Sequence, residues 1–337
     1  MSGVARAGAE VGRPRTPSPL PVRFTRLRRG DRVAVVSPSG VVDPGRVEAG
    51  CAALRELGLD VVVGKHALDR AGLAGGTPRE GWYRLAGTDA DRAADLQHAW
   101  CDPSVRAVIC ARGGYGATRV LPLLDWDALA AAGPKLLHGF SDVTALHLAF
   151  GRRLGVTTTF GPMLGALGGA AEYSADDRAL ALAGLRSVLF GTAERLVITG
   201  DRALRPGRAE GPLTGGTLAL IAAMLGTPDA PLPAEGRVVF LEDIGEEPYR
   251  VDRMLTQLLQ AGWFDGAAGI VLGSWTDCGD PAELDTVFEA RLGSLGVPIL
   301  AGLAAGHGPR QHTLEMGAPV RLDAAARTLE PAPGGAR

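Results

Sequence analysis

Short apolar runs alternate with amphipathic segments along the chain from residue 32. Four early runs are apolar at consecutive positions and end in turn residues, which is typical of buried strands: DRVAVV, DVVV, VRAVIC and KLLHG. Other segments have apolar residues at helical spacing: GRVEAGCAALRELGLD, DADRAADLQHAWCD and VTALHLAFGRRLG. Apolar strands that are each followed by a helix predict a parallel sheet covered on both faces.

A second block of the same kind follows residue 205. It opens with GRAEGPLTGGTLALIAAMLGT, which predicts a glycine-rich turn and a helix. Alternating strands and helices are then predicted, in this order: GRVVFLED, YRVDRMLTQLLQAG, AAGIVLGSW, LDTVFEARLGSLG and PILAG. The last segment, APVRLDAAARTLEP, predicts a closing hairpin.

The chain length of 337 residues favours two domains, because a domain usually has about 100–200 residues. The pattern therefore predicts a two-domain α/β protein. The predicted divisions are a flexible tail at 1–20, a first domain at 21–165, a crossover at 166–205, a second domain at 206–330 and a tail at 331–337.

Composition and charge exclude several classes of function. The formal net charge of -2 predicts no binding to nucleic acid or to an anionic membrane surface. The chain contains no run of about 18 apolar residues, so no membrane span is predicted. The cysteines show no CxxC spacing, which favours a reduced, cytosolic protein without a disulfide framework or a zinc site: Cys51, Cys101, Cys110 and Cys278. The sequence contains no HExxH motif and no cluster of metal ligands, so neither a metal nor a cofactor is predicted.

Three polar residues end predicted strands beside glycines. Ser141 ends KLLHGF, Glu242 ends RVVFL, and His307 follows PILAG between two glycines. Sites in parallel sheets form where the carboxyl ends of strands meet, so these side chains are candidates for one site. A serine hydroxyl needs an adjacent imidazole to take its proton, and a carboxylate to orient that imidazole. The three residues are therefore the parts of a Ser-His-Glu triad.

Structural alternatives exist for each of these residues. Ser141 alone is more typical of a helix N-cap, and the turn lacks the second glycine of G-x-S-x-G. Glu242 lies in the acidic run EDIGEE, which is typical of a solvated loop. His307 is also compatible with a mobile glycine loop. Spacing alone does not choose between these residues and their rivals: Ser37, Ser39, Ser274, His138, His147 and His312.

A glycine-rich loop, RGGYGATR, follows the third predicted strand. It lacks the G-K-[ST] of a P-loop and the full G-x-G-x-x-G fingerprint. Its backbone N–H groups are better suited to an oxyanion or a substrate carboxylate. The backbone N–H of Asp142, next to Ser141, is a second candidate donor to an oxyanion.

Long motifs in the chain carry a specific resemblance to a known family. They are SPSG, ARGGYGATRVLPLLDW, GFSDVTALH, FGPM, TGGTLALI, LEDIGEEPYRVDRMLTQL and GHGPRQHTLEMGA. With these motifs in this order, the chain resembles the LD-carboxypeptidase family, serine peptidases that trim murein peptides. The resemblance implies that Ser141 is the nucleophile, Glu242 the acid and His307 the general base. It further implies an oxyanion N–H near Gly114 or Tyr115.

The resemblance also implies a fold and an assembly. The first domain is expected to be a Rossmann-like, amidotransferase-like parallel-sheet layer that carries the serine. The second is expected to be a smaller α/β domain that carries the glutamate and histidine. The site is expected between the two domains, without a cofactor, and homodimers are usual in the family.

The function implied first is that of a cytoplasmic serine carboxypeptidase. It would hydrolyse the bond between an L-configured centre and the terminal D-alanine of a murein tetrapeptide, giving the tripeptide. One branch of the family instead cleaves an amide in a peptidyl-nucleotide antibiotic, and a related tailoring amidase is a further alternative. That branch tends to have an asparagine-containing loop where this chain has RGGYG, which favours the murein branch. The non-enzymatic alternative, a small-molecule binding protein with an idle triad, is disfavoured by the intact Ser141, Glu242 and His307.

Overall fold

The computed structural model describes residues 21–73, 84–191 and 196–333. The predicted tail at 1–20 and the end of the predicted tail at 331–337 lie outside the described residues. Two β-sheets with packed helices form the described part of the chain. The predicted class, a two-domain α/β protein with a Rossmann-like parallel sheet in its first domain, is confirmed.

Five parallel strands form most of the first sheet, and a sixth strand, β12 (Leu314–Met316), lies at its edge in the order β12-β5-β4-β3-β1-β2. They are β1 (Arg32–Val36), β2 (Asp60–Val63), β3 (Val105–Cys110), β4 (Leu136–Gly139) and β5 (Thr158–Phe160). The helices of this part are α1 (Pro44–Glu56), α2 (Asp89–Cys101), α3 (Ala117–Val120), α4 (Trp126–Ala131), α5 (Thr144–Leu154), α6 (Leu164–Leu167) and α7 (Ala175–Phe190).

The second sheet has eight strands in the order β6-β14-β13-β8-β9-β10-β11-β7, and β8 to β11 are parallel. The strands after β5 are β6 (Ile198–Thr199), β7 (Arg202–Arg205), β8 (Arg208–Thr217), β9 (Val238–Ile244), β10 (Gly269–Thr276), β11 (Ile299–Ala301), β12 (Leu314–Met316), β13 (Pro319–Asp323) and β14 (Thr328–Pro331). Its helices are α8 (Leu218–Met224), α9 (Pro248–Gln260) and α10 (Pro281–Leu292). The predicted closing hairpin is the antiparallel pair β13 and β14.

The consecutive apolar residues of β1 are explained by burial on both faces of the first sheet. Successive side chains of a strand point to opposite faces, so Val33 and Val35 contact one core while Ala34 and Val36 contact another. Helices α1 and α7 supply Leu54 and Leu185 to the first of these cores. The second core continues without interruption into the second sheet.

One element of the prediction was wrong. Residues 208–217 were expected to form a glycine-rich turn, but they form the long strand β8. The glycines serve close packing rather than chain reversal. At Gly215, φ is +112° and an added Cβ would lie 2.0 Å from the carbonyl oxygen of Phe240 on β9. Glycine therefore allows β8 to pass β9 at a distance that no side chain tolerates.

The two sheets are joined by more than the covalent crossover. Strand β12 leaves the second half of the chain and pairs antiparallel with β5, at the edge of the first sheet. Beside it, the rings of Phe160 and Phe240 meet edge to face, with centroids 5.2 Å apart. We call this contact between the two sheets the seam. Because of this exchange, the divisions at 21–165, 166–205 and 206–330 stay predictions.

None of the helices within residues 21–73, 84–191 and 196–333 has the length and apolar character needed to cross a bilayer.

We predict that Gly215→Ala destabilises the protein. The new methyl group would overlap the β9 backbone, and alanine would be strained at the positive φ, so the free energy of unfolding should fall by about 1–3 kcal/mol or more. Denaturant unfolding measures the change.

Gly151→Ala is the matched control, because Gly151 lies within α5 and an added Cβ meets nothing within 4 Å. That substitution should raise stability by up to about 1 kcal/mol, since alanine is the better helix former. Equal effects of the two substitutions would contradict the packing argument.

Candidate active site

Ser141 lies at a strained turn between β4 and α5. Its φ is +65°, and it is one of three non-glycine residues with positive φ among those that the structure describes. Non-glycine residues in this region cost of the order of 1–3 kcal/mol and persist where the surrounding structure holds them. A short 3₁₀ turn, Ser141–Val143, then leads into α5. The hydroxyl thus projects from the carboxyl end of β4, and the N-cap of α5 is Val143 rather than Ser141.

The glycine-rich loop after β3 packs directly against this turn. A Cβ added at Gly113 would lie 2.7 Å from the Cβ of Ser141. The Asp142 carboxylate accepts a hydrogen bond from the backbone N–H of Ala117 at 2.8 Å, which ties the end of the loop to the turn. Burial raises the pKa of Asp142. Gly114, with φ of +112°, and the exposed Tyr115 lie within this loop.

Glu242 lies on β9 and is completely buried. One carboxylate oxygen, Oε1, accepts a hydrogen bond from the hydroxyl of Thr217 at 2.6 Å. The other, Oε2, accepts the backbone N–H of His307 at 3.1 Å. A Cβ added at Gly306 would lie 2.4 Å from Oε2, so the residue before the histidine has to be glycine. Both oxygens of this buried carboxylate therefore have hydrogen-bond donors.

His307 lies in the loop that joins β11 to β12. Ser274, near the end of β10, holds both sides of this loop. Its hydroxyl donates to the carbonyl of Ala305 at 2.8 Å and accepts the backbone N–H of Gly308 at 3.0 Å. The imidazole is therefore presented from a loop with a defined backbone position.

The structure brings Ser141, His307 and Glu242 into one chain of hydrogen bonds. The Nε2 of His307 is 2.9 Å from the Ser141 hydroxyl, and its Nδ1 is 2.7 Å from Oε2 of Glu242. In this geometry Nδ1–H donates to the carboxylate, so Nε2 is free to accept the serine proton. Such an arrangement can activate the hydroxyl as a nucleophile.

The rival serines make no hydrogen bond to an imidazole within the described residues. The buried Ser37 donates to the carbonyl of Ala67 at 2.7 Å, and Ser39 is also buried. Ser274 is occupied by the loop that carries His307. Within the described parts of the chain, Ser141 is the candidate serine that contacts an imidazole.

The rival histidines have structural surroundings. His138 contacts the hydroxyl of Thr159 at 2.9 Å and the carbonyl of Pro162 at 2.8 Å, and burial lowers its pKa to about 4. His147 donates to the carbonyl of Gly139 at 3.0 Å, and burial likewise lowers its pKa to about 4. His312 is partly buried, which lowers its pKa. Both fully buried imidazoles are thus neutral hydrogen-bonding groups of the core.

One group of described residues has the composition of a metal site. Ligand atoms of His66, Asp69 and Asp91 lie within 4.8 Å of one another. Protein partners account for these atoms, because His66 bonds to Asp69 and Asp91 forms a capping box with Thr88 at the start of α2. The group lies outside the Ser141–His307–Glu242 chain.

Comparison with known proteins identifies the family. The profile of the LD-carboxypeptidase N-terminal domain matches residues 33–161, and the profile of the LD-carboxypeptidase C-terminal domain matches residues 210–322. The chain belongs to the LD-carboxypeptidase family. Its members are serine peptidases, so this LD-carboxypeptidase family member is an enzyme of the hydrolase class. The alternative of a binding protein with an idle site is thereby set aside.

Three relatives illustrate the similarity. A Streptomyces coelicolor protein that carries a carboxypeptidase name, SCO6489, is 50% identical over 91% of this chain and 95% of its own length. The murein tetrapeptide carboxypeptidase of Pseudomonas aeruginosa is 34% identical over 87% of this chain and 93% of its own length. MccF, a microcin C7 self immunity protein, was solved in complex with glutamyl sulfamoyl guanosine. That structure shares the fold with a TM-score of 0.78 at 22% identity, covering 93% of this chain and 98% of that one.

Several residues of the LD-carboxypeptidase site were missed by sequence reasoning. Thr217 contacts Glu242, and Ser274 was considered only as a rival nucleophile. The ring of Phe140 lies 5.0 Å from the His307 imidazole. The position of Thr217 directly after two glycines and directly before the apolar run LALIAAML was the available signal.

Asp243, the neighbour of Glu242, is a second buried carboxyl group. Its oxygens accept the backbone N–H groups of Ala219 at 2.8 Å and Ile244 at 2.9 Å. Burial, and then the charge of Glu242, raise its pKa from 3.8 to about 7. At neutral pH this group is therefore partly protonated.

We predict that Asp243→Asn weakens the pH dependence of stability. Between pH 3.8 and about 7 the folded protein holds a proton on Asp243 that the unfolded chain has lost, so ionisation of this group lowers the free energy of unfolding as pH rises. Asparagine has no such proton. Urea unfolding at stepped pH should show a flatter curve for the variant across this window.

The control for this experiment is Asp127→Asn, at an exposed position of α4. Its stability curve should run parallel to that of the wild type. If Asp243→Asn also ran parallel to the wild type, the raised pKa of Asp243 would be refuted.

Proposed function

We propose that this enzyme is a serine carboxypeptidase that removes the terminal D-alanine from murein tetrapeptides and releases the tripeptide. The hydrogen-bonded chain of Ser141, His307 and Glu242 is the observation that carries the proposal. The 34% identity to the murein tetrapeptide carboxypeptidase of Pseudomonas aeruginosa supports the substrate class.

In the first half of the reaction, Ser141 acts as the nucleophile. As its oxygen attacks the carbonyl carbon of the L-centre, its proton passes to Nε2 of His307. Glu242 stabilises the imidazolium that forms, through the bond from Nδ1–H. His307 then gives the proton to the departing amine, the C–N bond breaks, and D-alanine leaves. An ester between Ser141 and the tripeptide remains.

In the second half, water replaces the amine. His307 takes a proton from water, the resulting hydroxide attacks the ester carbonyl, and the serine oxygen regains its proton. The net reaction consumes one water and yields the tripeptide and D-alanine. We assign the stabilisation of the tetrahedral oxyanion to the backbone N–H of Asp142 and to an N–H of the loop at Gly114 or Tyr115. The close packing of Gly113 on Ser141 supports this assignment.

A second amide substrate remains compatible with the same chemistry. The fold is shared with MccF, whose solved complex holds glutamyl sulfamoyl guanosine. An immunity or tailoring amidase is therefore the alternative outcome of the test below. The homodimer and the cytoplasmic location implied by the family resemblance stay predictions.

We predict that the purified protein releases D-alanine from a murein tetrapeptide, and that Ser141→Ala abolishes this release. Only the residual rate supplied by binding and oxyanion stabilisation should remain in the variant. The assay compares the tetrapeptide with an acyl-sulfamoyl nucleoside at equal concentrations and follows D-alanine and nucleoside by chromatography.

Ser37→Ala is the matched control, and it should retain activity because Ser37 contacts no imidazole in the described structure. Cleavage of the nucleoside conjugate alone would favour the amidase alternative. Full activity of Ser141→Ala would remove the proposed nucleophile.

We further predict that Glu242 and His307 act as a unit. Glu242→Gln keeps the shape of the side chain but allows the wrong imidazole tautomer, so kcat should fall by orders of magnitude with little change in KM. The double variant Glu242→Gln/His307→Ala should be hardly worse than His307→Ala. Rate losses that multiply in the double variant would show that Glu242 acts independently of His307.

A further inference from the structure

The Oε1 oxygen of the Glu242 carboxylate has a hydrogen-bond donor of its own, the hydroxyl of Thr217. Two donors of His307 occupy Oε2, and the Thr217 hydroxyl reaches Oε1 at 2.6 Å. A carboxylate bonded on one oxygen only can rotate about its last bond and present either oxygen to the imidazole. The bond from Thr217 removes that freedom, because rotation would break it.

The Thr217 hydroxyl has one proton, and it donates this proton in a hydrogen bond to Glu242 Oε1. Glu242 Oε1 is both the nearest acceptor and the charged one, whereas the carbonyl oxygen of Ser141 lies farther away, at 3.4 Å. The hydroxyl of Thr144 donates to Thr217 at 3.3 Å, and Thr144 itself accepts the backbone N–H of Thr217 at 3.1 Å. A directed chain of donors thus runs from Thr144 through Thr217 to Glu242. Each donor in such a chain strengthens the next.

Thr217 also departs from the usual behaviour of a threonine at its position. It is the N-cap of α8, where a threonine hydroxyl ordinarily accepts a backbone N–H of the first turn. Here no such side-chain bond is made. Asp243 accepts the N–H of Ala219 in its place, at 2.8 Å. The Thr217 hydroxyl therefore makes no capping bond and donates to the Glu242 carboxylate instead.

Thr217 links the two halves of the site across the seam. Thr144, its donor, begins α5 directly behind the nucleophile turn, whereas Thr217 ends β8 of the second sheet. The distance between Ser141 and Glu242 therefore depends on a contact that includes this hydroxyl.

We propose that Thr217 is a positioning residue of the triad, which holds the Glu242 carboxylate in the orientation that keeps Oε2 on Nδ1 of His307. The proposal rests on the proposed function, since it requires Glu242 to act through His307. Among the described contacts, the Thr217 hydroxyl bonds with Glu242, Thr144 and the backbone carbonyl of Ser141.

The test compares Thr217→Val with Thr217→Ser on the tetrapeptide. Valine keeps the shape but leaves Oε1 without its donor, so kcat should fall about 10- to 100-fold with KM nearly unchanged, as expected for one lost hydrogen bond to a buried charge. Serine keeps the hydroxyl and should restore most of kcat. In a Glu242→Gln background, Thr217→Val should have little further effect.

A second readout needs no substrate. The downfield proton resonance of the His307 Nδ1–H, assigned by its loss in His307→Ala, should shift or broaden in Thr217→Val and stay in place in Thr217→Ser. Thr214→Val is the matched control. Thr214 lies on the same strand and, within the described structure, bonds to none of the triad residues. This control should change neither kcat nor the resonance.

The outcomes are separable. Wild-type protein without turnover of the tetrapeptide would count against the proposed function, and the resonance would still decide the role of Thr217. An active wild type with normal kcat in Thr217→Val, an equally slow Thr217→Ser, or an unmoved resonance would overturn the positioning role. Should Thr217→Val fail to fold, Thr217→Cys, which lacks the strong donor, replaces it in every comparison.

Discussion

The burial of one negative charge sets the local architecture of the site. Glu242 has no contact with solvent, and a buried ion is tolerated only where donors replace its water. Those donors come from the end of β8 and from the loop after β11, so both elements are drawn to one point on β9. The space around the carboxylate is correspondingly tight, which explains the glycine at 306.

The nucleophile turn is subject to the opposite kind of constraint. Ser141 holds an unfavourable backbone conformation, which its surroundings have to maintain. Gly113 presses on it from the loop after β3, and Asp142 anchors that loop through Ala117. The His307 imidazole thus joins two different environments. It bonds to the well-satisfied Glu242 carboxylate through Nδ1 and to the strained Ser141 turn through Nε2.

Much of this arrangement follows from rules that act locally along the chain. Apolar runs followed by helices predicted the parallel sheets, and polar residues at strand ends gave Ser141, Glu242 and His307 as candidates. Rival serines and histidines could not be set aside, because burial of Ser37 or His138 depends on contacts that no local pattern contains. For the same reason β8 was mistaken for a turn. A glycine such as Gly215 is required by its packing against β9, which is distant in the sequence, and not by its sequence neighbours.

The return of β12 to the first sheet makes the base-bearing loop a bridge. The chain leaves β11 in one sheet, passes His307 and enters β12 in the other, so the loop is anchored at both ends in different domains. The first sheet is then not a self-contained unit, since it takes its edge strand β12 from the second half of the polypeptide. A fragment that ended at the crossover would therefore expose the backbone edge of β5, which β12 covers in the intact chain.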